Sequence, residues 1–118
     1  MTPDEFFSGE ELSKRLFECI CQVLDEIGPA IIRVSKSQIA FRRRRAFAWV
    51  WIPSRYLHRS AAPLVLTLSL ADRSPSPRWK QVVEPYPGRF THHMELYAPS
   101  DIDAEVCGWL RQAWTAAG

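Results

Sequence analysis

Carboxylates are nearly missing from the middle of this 118-residue chain: between positions 28 and 94 only Asp72 and Glu84 are acidic. The same stretch carries twelve Lys and Arg, a net of +10, while the two ends together carry eleven acids and a net of −8. The formal total of +2 hides this partition. With so few acids, only Asp72, Glu84 and Glu95 offer themselves as general bases, which counts against acid–base hydrolysis and divalent-metal chemistry. Cysteine is scarce and odd in number, at three, so a disulfide scaffold is excluded. Cys19 and Cys21 stand two apart on a helical stretch and point about 200° from each other, so they cannot share a metal. No apolar run reaches the roughly 18 residues of a membrane span; the longest, Ala46 to Ile52, has strand length. The first residues are acidic where a secretory leader would be basic, so a cytoplasmic protein without a membrane segment is expected. Zinc-protease, phosphate-loop, nucleophile-elbow and Cys-x-x-Cys motifs are all absent, and no cofactor is expected.

What is present reads as one α+β domain over 1–118, with a core from about residue 5 to 115. Ser8 and Glu11 have capping-box spacing, with Phe7 and Leu12 placed as a hydrophobic staple. Leu12, Leu16, Phe17, Ile20, Val23, Leu24 and Ile27 then make an apolar stripe on a helix that ends at Gly28-Pro29. Strands are predicted at 31–35, 38–42, 45–52, 64–70 and 90–97, with a short edge strand at 79–83 and a turn at 85–88. The alternation from Leu64 to Leu70 is the clearest of these patterns. Ser100 and Asp103 repeat the cap spacing ahead of a closing helix with Ile102, Val106, Leu110 and Ala113 on one side. Hairpin-length links predict an antiparallel sheet of about four to six strands, with both helices on one side.

Two features invite an anionic partner. Arg42, Arg43, Arg44 and Arg45 occupy a turn, where guanidinium groups would meet phosphate; a solvated hairpin turn is the plainer account. In strict alternation Phe47, Trp49 and Trp51 share a face with Arg45, which would make a stacking platform if that face is uncovered and core if it is not. The glycine-aromatic signature of an RNA recognition motif is absent. His92 and His93 are strand neighbours and point to opposite faces, so they cannot serve one site together, with or without His58. A buried, hydrogen-bonded histidine is the commoner outcome.

The ordered segments Phe6-Phe7-Ser8-Gly9, Gly28-Pro29, Lys36 to Phe41, Phe47-Ala48, Leu64 to Leu70, Arg73, His93, Asp101-Ile102-Asp103 and Trp109 to Trp114 resemble the DUF5655 family. That family is a small bacterial and archaeal domain of unassigned function. The resemblance implies a domain found alone or appended to other modules, hence an accessory or binding role. It also marks Lys36, Arg73 and His93 as a polar signature that would suit an anionic ligand if the three converge. The leading expectation is therefore a small cytoplasmic binding module whose basic sheet meets nucleic acid or a phosphorylated ligand. A second is a protein-interaction module, self-associating through surfaces of opposite sign. A third is an enzyme built on a Lys36–Arg73–His93 pocket.

Overall fold

The computed structural model describes residues 1–56 and 62–118; His58 lies outside the described residues. The elements run α1 (Pro3–Phe6), α2 (Glu11–Ile27), β1 (Ile31–Val34), β2 (Ile39–Arg42), β3 (Ala46–Trp51), β4 (Leu64–Leu70), β5 (Gln81–Tyr86), β6 (Arg89–Leu96) and α3 (Ala104–Ala116). All six strands pair antiparallel in one sheet of order β1-β2-β3-β4-β6-β5. The fold is α+β, as the hairpin-length connections predict. Alternation puts Leu64, Leu66, Leu68 and Leu70 of β4 on one face with Ile39, Phe41, Val50, Met94 and Leu96. Leu16, Phe17, Ile20 and Leu24 of α2 and Val106, Trp109, Leu110 and Ala113 of α3 join them in a single core. Both long helices thus cover the same side of the sheet. No helix among the described residues is long and apolar enough to cross a membrane.

Several local expectations are corrected. Ser8 does not cap α2: Gly9 takes a left-handed φ of +78°, which turns the chain away, and Glu10 is the N-cap without a side-chain bond. The capping box forms instead at the very start. Glu5 N–H donates to Thr2 Oγ1 (3.2 Å), and Thr2 N–H donates to Glu5 Oε1 (3.0 Å), around the short α1. With no staple to make, Leu12 is exposed, whereas Phe7 is buried beside Phe6 and Phe17. Ser100 is likewise not a cap. Residues Pro99–Asp101 form a 3-10 turn, and Asp103 caps α3 by accepting from Val106 N–H (3.1 Å). The last hairpin starts later than expected. Trp79 is buried against Trp109 and His92, β5 begins at Gln81, and only Pro87-Gly88 remains as the loop, with Gly88 at φ +78°. Proline followed by a left-handed glycine is what a tight turn of this kind requires.

Candidate functional site: the uncovered sheet face

Residues directly opposite each other in an antiparallel ladder share a face. Following the register across the sheet gives one row, Arg33–Ala40–Trp49–Thr67–His93–Gln81, on the side away from both helices. Trp51, Val65 and Glu95 form the neighbouring row, and Arg42 lies two residues from Ala40 on the same face. Phe47 does not join them. A bulge between Phe41/Arg42 and Ala48/Ala46 breaks the alternation, so Phe47 enters the core while Trp49 and Trp51 stay on the open face, partly exposed. The aromatic face is therefore Trp49 and Trp51, without Phe47.

Trp51 lies across β4, its Nε1–H donating to Thr67 Oγ1 (3.2 Å), which accounts for Val65 and Thr67 being buried on a face that no helix among the described residues covers. Thr67 Oγ1 in turn bonds His93 Nδ1 (2.9 Å). This leaves His93 Nε2 without a hydrogen-bond partner among the described residues. Beside it a pocket of about 260 Å³ opens between Trp51, Pro53 and Val65 on one flank and Lys80, Gln81, His93 and Glu95 on the other. Lys80 Nζ and Glu95 Oε2 are paired along this second flank at 3.1 Å.

His92, one residue away, faces the core and is fully buried. Its Nε2 accepts from Ser74 N–H (2.9 Å), so the proton sits on Nδ1 and is donated to the Phe90 carbonyl (3.1 Å). Burial holds both His92 and His93 below the ordinary histidine value of 6.5. In the unfolded chain the two imidazoles regain that ordinary value, so unfolding takes up protons as the pH drops below it. Stability is expected to be full above pH 6.5 and to fall progressively toward pH 5, above the range where the carboxylates titrate. Urea unfolding at pH 7.5, 6.5 and 5.5 checks this, and a flat profile would contradict it.

The residues proposed to converge do not. Lys36 sits in the β1–β2 turn, which lies at the end of the sheet where β3 finishes and β4 begins. Arg73 follows β4 at the opposite end, with its guanidinium 5.9 Å from the Phe90 ring and its charge acting on His92. His93 lies between them, on the middle of β6. Of the three, His93 alone lines the pocket.

The arginine run divides. Arg43 stacks 3.6 Å over the Trp114 ring and donates to the Trp114 carbonyl (3.2 Å). Arg45 donates to the Ala116 carbonyl, and Arg44 N–H donates to the Ala117 carbonyl (3.1 Å). A helix C-terminus leaves its last carbonyls without partners and carries partial negative charge, so two of these cations complete α3. Arg42 remains on the open face and Arg44 is exposed.

Other cations of the basic stretch are also engaged within the molecule. Arg55 donates to the Phe6 carbonyl (2.6 Å). Arg78 binds Asp103 (2.9 Å) and Glu105 (2.8 Å) and donates to the Asp101 carbonyl. The Val106 N–H, followed by Arg78, holds the Asp103 carboxyl below the usual range. Arg33, Thr67, Lys80 and Gln81 are site residues that single-residue reading missed, and it offered Glu95 only as a general base. The signal for Arg33, Thr67 and Gln81 is the cross-strand row, which appears only once the register is known. Burial pushes the Cys21 thiol up to about 12, so it stays protonated and unreactive. No group of three or more His, Cys, Asp or Glu among the described residues could hold a metal ion.

Fold and site together define an α+β domain with one helix-covered sheet face and one open face bearing tryptophan, arginine and a small, largely apolar pocket edged by polar groups. The chain belongs to the DUF5655 family, a domain of unknown function whose model matches residues 3–117. No curated protein and no solved structure is significantly similar to it.

Proposed function

We propose that the domain binds single-stranded nucleic acid on the open sheet face. The observation that carries this reading is the pair Trp49 and Trp51, left partly exposed where no helix among the described residues packs, with Arg33 and Arg42 on the same face. Two residues along a strand are about 7 Å apart, enough for two unstacked bases, one at each indole. Stacking tolerates every base, and guanidinium groups beside the rings track the phosphates. Neither Arg33 nor Arg42 has an ion-pair partner among the described residues, unlike Arg78. Duplex hides its base faces, so the same surface prefers a single strand.

The test is fluorescence anisotropy with a labelled oligothymidylate and a duplex of equal length at low salt. Trp49→Ala is expected to weaken single-strand binding about ten-fold, the order of one lost stacking contact. Arg33→Glu with Arg42→Glu is expected to abolish it, and the wild-type affinity should fall steeply with salt. Equal binding by Trp49→Ala, or none by the wild type, would overturn the reading.

Self-association is the second reading, favoured by one feature. β1 is an edge strand, and Ile31 and Ile32 on it are 59% and 42% exposed. Unpaired apolar edges recruit another strand. Sedimentation with and without oligonucleotide separates the two, since a β1-paired dimer would form in its absence.

A further inference from the structure

The pocket beside Trp51 has a shape and polarity that the stacking surface does not explain. It is smaller than the cavities that enclose drug-sized ligands, and its volume suits one planar heterocycle. One flank, Trp51 with Pro53 and Val65, is apolar and suited to the face of a ring. The other flank, on β5 and β6, is a line of hydrogen-bonding groups suited to a ring's edge. There Glu95 is a carboxylate, an acceptor only, and one of its oxygens is held by Lys80. Lys80 is a donor only, and Gln81 can do either.

We propose that this pocket takes one base of the bound strand and selects guanine. Among the four bases, guanine alone sets two neighbouring N–H donors, N1–H and the 2-amino group, beside a carbonyl. The donors meet Glu95, and the carbonyl O6 meets the Lys80 ammonium next to it. Thymine offers one N–H between two carbonyls, and adenine and cytosine put an acceptor nitrogen where Glu95 needs a donor. The Trp51–Thr67–His93 hydrogen bonds hold the apolar wall and the floor in place before a base arrives, so little ordering is left to pay for on binding.

This inference rests on the open face being the binding surface, and the experiment keeps the two apart. Oligothymidylate is compared with the same strand carrying one central guanine, against wild type and Glu95→Gln. Glu95→Gln retains the size of the side chain, and its thermal melt serves as the folding control. The guanine is expected to tighten wild-type binding about ten-fold, within the range of one good two-point base contact. Glu95→Gln is expected to erase that gain, so that the variant binds the two strands equally. Inosine in place of guanine, which lacks only the 2-amino group, should lose most of it. Equal affinity of wild type for the two strands, or a preference that survives Glu95→Gln, would overturn the proposal while leaving the platform standing. Should neither strand bind, the platform fails and the pocket is read directly by titrating guanosine and thymidine monophosphates in amide NMR spectra. Shifts at Gln81, His93 and Glu95 specific to the guanosine nucleotide would sustain the pocket. Equal shifts, or none, would sink it.

Discussion

Replacing His92 with alanine is expected to destabilise the domain by about 3–5 kcal/mol, from a lost buried ring and a stranded amide together. The imidazole is fully buried, with the Trp79 ring edge-on at 4.9 Å and Trp79 itself 4.5 Å from Trp109. Removing it leaves a cavity under Trp79 and takes the acceptor from Ser74 N–H. Small domains have only about 5–15 kcal/mol in total, so the variant should sit close to its unfolding threshold. His92→Leu fills most of the same space and loses the two hydrogen bonds, so it should cost less than the alanine variant. Urea unfolding followed by tryptophan fluorescence measures both, and hydrogen exchange at Ser74 locates the damage. A loss under 1 kcal/mol for the alanine variant would remove His92 from the fold's supports. The consequence reaches the open face. The segment anchored by Ser74 leads to Lys80, whose N–H is bound to the His93 carbonyl at 2.8 Å and whose ammonium flanks the pocket. One histidine of the pair thus secures the segment from the core side, and the other forms the floor from the open side.

The charge partition was legible in the sequence, but its meaning was not. Twelve cations between residues 28 and 94 read as a surface awaiting an anion. Folding brings acids and carbonyls of the C-terminal part of the chain to several of them: Arg78 meets Asp103 and Glu105, Lys80 meets Glu95 on β6, and Arg43 and Arg45 meet the carbonyl end of α3. Much of the asymmetry is complementarity within the molecule. The strands were legible because Leu64 to Leu70 alternates cleanly, and the helical stripe from Leu16 to Leu24 was legible for the same reason at a longer period. Phe47 was misplaced because a bulge inserts one residue and reverses the faces on either side of it, and no residue type between 42 and 48 announces that. The row from Arg33 to Gln81 was hidden for a different reason. It joins six strands, and its composition depends on five registers that local pattern does not contain.

Gly28→Ala is expected to cost about 2–3 kcal/mol, the upper part of the range for forcing an extra carbon into a packed site. The backbone at Gly28 is extended and would accept any residue, so the requirement is for space alone. A Cβ there would overlap Trp114 Cζ2 and come within 2.7 Å of Cε2 and 2.9 Å of Cη2. Two contacts hold the indole in place against it. Its Nε1–H is bound to the Pro29 carbonyl at 2.9 Å, and the Arg43 guanidinium lies 3.6 Å over the ring. In a Trp114→Ala background the obstruction is gone, so adding Gly28→Ala should cost well under 1 kcal/mol; the difference is the coupling between the two sites. Additive losses in the double variant would place the cost elsewhere. The same assembly decides which arginines can report on binding. Arg43 closes the stack of Trp114 against Gly28, so reversing its charge would loosen α3 and imitate a binding defect. Arg42, one residue earlier and on the other face of β2, can be reversed without touching that stack, and it is the position at which lost affinity means a lost contact.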